Sequence, residues 1–276
     1  IHYTVASFLR LSYPLKVRLA CHQAPKMIFL QDEYRLISQI TQLVEQLGIS
    51  AIFTTQNEDV TRAIYRTPYM KSNVLLQQVG LDFICPTRVF EKPVNWENRK
   101  FDLTYRAMRL PKSYGRDAFN KAEMGVKIKK ALRGSGLKAD ISTEETDRLY
   151  GAKWEEFLYQ SKAAFATSSS ISVVDFDGEL YKKQIDELEK GLIGEFPNSD
   201  CLINVSALSP RFIEYAIAGC MPVLLESHFD GLLEPHLDYF PIKNDLTGLA
   251  GLKEAIEDNS AAQKIIYNFQ RKIASY

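Results

Sequence analysis

The 276-residue chain carries 34 basic and 34 acidic residues, a formal net charge of zero. That balance excludes nucleic-acid binding through a broad basic field but leaves room for a local phosphate pocket. Hydrophobic residues make up 46% and charged residues 25%, an ordinary globular composition, and no apolar run reaches bilayer-spanning length. The length predicts two domains of modest size. Four scattered cysteines, Cys21, Cys85, Cys201 and Cys220, form no Cys-x-x-Cys pair. They argue against zinc and redox centres and for a reduced, cytoplasmic setting. No secretory signal is visible, and the start at Ile1 rather than Met reads as that of a fragment.

In chain order, residues 1–25 carry no decisive period, and Val5 to Leu11 fits strand or helix equally. Met27 to Leu30 is a short buried strand. Apolar residues at Leu36, Ile37, Ile40, Leu43, Val44 and Leu47 then repeat with a helical period, and Gly48 suits the cap. Ile49 to Thr54 is the next strand. Thr55 or Asn57 caps a helix running to about Tyr65, and Asn73 to Leu81 is a further strand. This alternation predicts a parallel sheet. Pro86 to Lys100, with two prolines, charges and Trp96, is the expected linker.

A second alternating half follows. Phe101 to Arg106 is a strand, Gly115 to Leu132 a helix, Ala139 to Ser142 a strand and Gly151 to Ser161 a helix. Ala163 to Thr167 is a strand leading into Ser168, Ser169 and Ser170. Tyr181 to Leu192 is helical, and Leu202 to Val205 is a short strand. Ser209 then caps a helix with Pro210 at its first position and Arg211 and Glu214 in its opening turns. Gly219 ends that helix, and Pro222 launches the strand Val223 to Leu225. The tail from Leu249 to about Ala274 holds one or two helices. The expected class is α/β, with two Rossmann-like domains built on parallel sheets, the first domain small. The expected boundaries are 1–100 and 101–276.

A helix bearing Arg and Glu near its N-terminus, between two buried strands, is where an α/β protein holds a phosphorylated ligand. The Glu-bearing helix followed by Gly219-Cys220-Met221-Pro222-Val223-Leu224 resembles the nucleotide-binding half of GT-B glycosyltransferases. Three further segments resemble a bacterial subgroup of such proteins found in surface-polysaccharide assembly, namely Met27 to Arg35, Asp102 to Arg106, and Asp147 to Trp154. The resemblance implies a GT-B-like fold in which Glu214 bonds the ribose of a nucleotide sugar and Arg211 a phosphate. It also implies an acceptor-side first domain, a last helix crossing back to it, and no metal or separate cofactor. The implied partners are the nucleotide sugar and a glycan or lipid-linked acceptor, with no nucleic acid. Peripheral association with the inner face of a membrane or with polysaccharide-assembly proteins is implied as well.

Each site residue also has a plain reading. Arg211 and Glu214 can be a surface pair at a helix start. Asp175 and Asp177, before Gly178, can be a solvated acidic turn, a metal-binding pair, or a catalytic base or nucleophile. The nearby Ser170 favours a site, since hydroxyls and loop amides bond phosphate. Asp32 can be a helix N-cap, yet Asp32 or Glu33 at a strand's carboxyl end can also serve as general base. Arg106 and Arg109 can neutralise phosphate or remain surface cations. Trp154 reads as core packing, and His228 and His236 lack metal-ligand spacing. The subgroup leads one to expect a histidine beside the Glu-bearing helix, where this chain has Phe212. Two rival functions follow: a non-catalytic nucleotide-sugar or polysaccharide-binding module, and a flavodoxin-like binding protein.

Overall fold

The computed structural model describes residues 2–4, 8–65, 70, 73–79, 95–200, 202–203 and 205–275, without the side chains of 2–4, 169–170, 205–207 and 230. The expected linker before residue 95, Val5 to Ser7 of the Val5 to Leu11 stretch, Cys85 and Cys201 therefore lie outside the described residues. The chain packs into two compact units, neither a single run of sequence. Unit 1 comprises residues 1–80, 110–118 and 170–207, and unit 2 comprises 81–109, 119–169 and 208–276.

Unit 1 is built on a four-stranded parallel sheet in the order β1 (His2–Thr4), β2 (Met27–Gln31), β3 (Ala51–Thr54), β4 (Leu75–Gln78). The helices among them are α1 (Tyr13–Cys21), α2 (Ile37–Leu47) and α3 (Glu58–Tyr65). Ile37, Ile40, Val44 and Leu47 form the buried stripe of α2, packed with Ile28, Leu30 and Ile52. Burying such a stripe stabilises a short helix far more than its propensity does. Gly48 closes α2 at φ 62°, its N–H bonded to Val44 O and Glu45 O, as its position after the periodic run implies. Asn57 caps α3 by accepting from the Val60 N–H at 2.9 Å.

Unit 2 carries a five-stranded parallel sheet. Its strands are β5 (Phe101–Arg106), β6 (Ala139–Ser142), β7 (Ser161–Ala166), β10 (Met221–Leu225) and β11 (Phe240–Ile242). The order is β6-β5-β7-β10-β11, so strand order reverses beside β5, between β6 and β7. A reversal of this kind opens a crevice at the carboxyl ends of the strands. Helices α4 (Arg116–Ala131), α5 (Ala152–Tyr159), α7 (Pro210–Ala218), α8 (Leu252–Glu257) and α9 (Asn259–Ser275) follow in the chain. Strand alternation supplies two cores. Ala163, Phe165, Met221 and Val223 face Met124, Ile128 and Leu252, whereas Ala164, Ala166 and Leu224 face Phe157, Phe212 and Tyr215. With both faces covered, the strands read as nearly continuous apolar runs.

The remaining elements are α6 (Glu179–Glu189) and a two-stranded pair, β8 (Ser169–Ile171) with β9 (Val205–Ala207). The short strand expected over Leu202 to Val205 lies a few residues later and pairs with β8 rather than joining the five-stranded sheet. The sequence pattern shows a strand but not its partner. Two Rossmann-like parallel-sheet units make the fold α/β, the expected class.

Helix α4 approaches β5 at Gly125. A Cβ there would lie 2.9 Å from Thr143 Cγ2 and 3.0 Å from the buried Tyr105 ring. Gly125→Ala gains about 1 kcal/mol of helix propensity but forces a packed ring to move, at about 1–3 kcal/mol. The expected result is a lower urea midpoint for Gly125→Ala than for the parent chain; a raised midpoint would show that the contact yields.

Candidate functional site

The motif helix forms as its residues dictate. Ser209, at φ −72° and ψ 134°, caps α7 by accepting from the Arg211 N–H, and Pro210 occupies the first helical position. Gly219, at φ 60°, ends the helix. Pro210 has no N–H, the Arg211 N–H goes to Ser209 Oγ at 3.4 Å and the Phe212 N–H to Ser209 O at 2.9 Å. The start of α7 is thus largely self-satisfied, and electropositive chemistry here falls to the Arg211 side chain.

Around this helix start lies a cavity of about 430 Å³ at the carboxyl ends of β5 and β6, lined by Arg106, Glu144, Arg148, Tyr150, Trp154, Ser209, Arg211 and Glu214, among others. Glu214 Oε2 accepts from Trp154 Nε1 at 2.9 Å. Arg211 donates through Nη1 to Arg106 O, and its guanidinium lies 5.7 Å from the Trp154 ring centre and 6.0 Å from that of Tyr105. One indole thus orients the carboxylate and flanks the guanidinium. These bonds hold two opposite charges at the mouth of one cavity.

Arg106 also lines the cavity, but its guanidinium is engaged. It is ion-paired with Asp140 at 2.9 Å, donates to the carbonyls of Tyr105, Asp140 and Asp147, and stacks on Phe157 at 4.3 Å. Arg109 pairs with Glu144 at 3.4 Å on the surface. Phe212 is fully buried against Phe229 and Phe269, so the position where a histidine was expected faces core. Sequence reasoning missed two features. Trp154 does more than pack, and Arg148, stacked 5.0 Å from the centre of the exposed Tyr150 ring and bonded to Glu145, forms a rim. The quoted segment Asp147 to Trp154 contained both.

The carboxylates Asp32, Glu33, Asp175 and Asp177 gather in unit 1. The backbone of Asp175 bonds the β2–α2 connection, its N–H to Tyr34 O at 2.8 Å and its carbonyl to the Ile37 N–H at 3.3 Å. Its buried carboxylate accepts from the N–H groups of Gly178 and Tyr181, at 2.9 and 2.8 Å. That is the work of a helix cap for α6. Burial nonetheless pushes its pKa up. Asp177 is exposed and accepts from the Glu179 N–H at 3.1 Å, and this bond pulls its pKa down. Arg35 locks the cluster, lying 4.8, 5.1 and 5.9 Å from the ring centres of Tyr34, Tyr181 and Tyr114.

Asp32 is not a helix N-cap. It sits at φ 62°, with Leu36 at φ 59° immediately before α2. Two non-glycine residues in left-handed backbone flank Glu33 to Arg35, a strain of order 1–3 kcal/mol each. Asp32 is exposed, whereas Glu33 is fully buried and accepts from Thr54 Oγ1 and Tyr65 Oη. Burial, with Asp32 adding to it, raises the Glu33 pKa to about 7. The Ser170 side chain lies outside the described residues. Among the described residues, no group of three or more His, Cys, Asp or Glu converges as a metal site, and no helix is long and apolar enough to cross a membrane.

No protein-family model matches the chain, and no curated protein matches it. Solved structures do. The crystal structure of TarM aligns over 90% of this chain and 47% of its own, at 9% identity and a TM-score of 0.48. That of HepE from Anabaena, in complex with UDP and glucose, aligns over 90% of this chain and 67% of its own, at 11% identity and a TM-score of 0.39. The chain spans about half the length of TarM. No residue role follows from similarity at this level.

Two predictions follow from the carboxylates. Removing the cap by Asp175→Ala costs about 1–2 kcal/mol of stability, and Asp177→Ala under about 0.5 kcal/mol, as measured by urea unfolding. Glu33 holds its proton to about pH 7 when folded, against 4.5 for an ordinary glutamate. The native state therefore binds more protons than the unfolded state between those values, and stability falls as pH rises through that window. The loss is about 3 kcal/mol at its limit. Unfolding curves from pH 4.5 to 8 should show this slope in the parent chain and a shallower one in Glu33→Gln; equal slopes would remove Glu33 as its source.

Proposed function

We propose that the chain is a GT-B-like glycosyltransferase whose unit 2 holds a nucleotide-activated sugar at the start of α7. The carrying observation is the placement of Arg211 and Glu214 together at one cavity, at the carboxyl ends of the strands beside the order reversal. A carboxylate held by Trp154 accepts from vicinal ribose hydroxyls without needing a proton of its own. The Arg211 guanidinium supplies charge to a diphosphate, in the ground state and again when the leaving phosphate gains charge. Arg106 supports this indirectly, since its carbonyl holds Arg211. Its guanidinium, expected to take phosphate, is engaged by Asp140 and three carbonyls.

Acceptor activation is assigned to unit 1. Asp32 is the exposed carboxylate suited to take a hydroxyl proton, and Glu33 beneath it titrates near neutrality. Asp177 is the exposed alternative. Ser170 as a phosphate ligand, independence of metal, and a place in surface-polysaccharide synthesis at the inner face of the membrane complete the reading. One observation favours the non-catalytic binding module. Asp175 and Glu33, two of the four candidate carboxylates, are engaged in holding the fold.

Calorimetry with uridine, cytidine and guanosine mono- and diphosphates tests the reading. At least one diphosphate should bind, and Arg211→Ala should weaken it about tenfold or more, with a smaller effect on the monophosphate. Glu214→Ala should weaken both. Absence of binding across the series would overturn the proposal. Binding with no donor hydrolysis or transfer, unchanged by Asp32→Asn, would leave the binding module.

A further inference from the structure

A second cavity, of about 440 Å³, opens in unit 2 at the opposite, amino-terminal edge of the sheet. Arg99, two residues before β5, and Gly219, two before β10, both line it. One wall is a face of α9. Asn259, Gln263, Tyr267 and Gln270 follow one another at spacings of four, four and three residues, which places them on one side of the helix. Asn95 and the buried Trp96 form the facing wall.

The lining is chemically distinctive. None of its nine residues is a carboxylate, and the single cation, Arg99, donates to Ser161 O and Ala218 O deep in the unit. A phosphate or a metal ion therefore has no suited partner. The four amide side chains instead carry both donors and acceptors, of which Asn95 Oδ1 already accepts from the Glu97 N–H at 3.3 Å. Gln270 is steadied by its bond to Ala216 O at 2.7 Å and Asn259 by one to Glu97 at 3.4 Å. Beside them Tyr267 is 58% exposed, a flat amphipathic ring at the rim. Groups that both donate and accept, set beside an aromatic face, match vicinal hydroxyls on a ring with an apolar C–H face. The volume lies within the usual range for small-ligand sites.

We propose that this cavity is a second binding site, for a neutral saccharide, remote from the nucleotide cavity. Its use as an anchor for a growing acceptor glycan rests on the glycosyltransferase reading; saccharide binding itself does not. The site would hold part of a chain whose reacting end lies elsewhere, raising local acceptor concentration without taking part in chemistry.

The test uses the full chain without nucleotide, with neutral hexasaccharides of glucose, mannose and N-acetylglucosamine, followed by calorimetry and saturation-transfer NMR. At least one should bind saturably, with a dissociation constant of about 1 mM or tighter. Gln263→Ala and Tyr267→Ala, at exposed positions, should each weaken it about tenfold while thermal unfolding and nucleoside diphosphate binding stay unchanged. Saccharide binding without nucleotide binding would sustain this site while the proposed function failed. No saturable binding by any hexasaccharide, full retention in the double variant, or competition by a nucleoside diphosphate would overturn it.

Discussion

Helices cover both faces of the five-stranded sheet, and that double burial constrains everything else in unit 2. Along the central stretches of β7 and β10 both faces are covered, and Ala163 to Ala166 and Met221 to Leu224 are all apolar and buried. Chemistry is thereby pushed to the strand ends, where the chain turns and polar groups reach solvent. The reversal of strand order beside β5 opens the carboxyl edge, and α7 begins there. Arg211 and Glu214 line the cavity at that edge.

The two units treat charge differently. In unit 2, Trp154 and the Arg106 carbonyl orient Glu214 and Arg211 at one cavity. In unit 1, two of the four candidate carboxylates are drawn inward. Asp175 becomes the cap that ties α6 to the β2–α2 connection, and Glu33 sits beneath Asp32 among Thr54 and Tyr65. A buried carboxyl costs free energy whenever it is ionised. The left-handed backbone at Asp32 and Leu36 adds strain in the same few residues.

Much of this was legible in the chain. The α2 stripe, the Gly48 and Gly219 caps, the Asn57 and Ser209 caps and the apolar runs of β7 and β10 are local signals, each carried by residues within a turn or two of one another. Less legible were the residues whose meaning depends on a distant partner. Trp154 and Glu214 stand 60 residues apart, and nothing in either segment announces their bond. The pairing of Arg106 with Asp140, on the neighbouring strand, is invisible in either segment. Asp175 before Gly178 reads equally as a solvated turn or a site residue, and its part as a buried cap depends on the β2–α2 connection packing over it.

The sequence by itself determined the alternation of strands and helices, their caps, and the α/β class with parallel sheets, because period and capping are short-range physics. Tertiary structure alone decided how segments 110–118 and 170–207 join unit 1, which strand β9 pairs with, and which partners hold the charged side chains. Those outcomes depend on burial and on hydrogen bonds between residues far apart in the chain, and a linear pattern records neither.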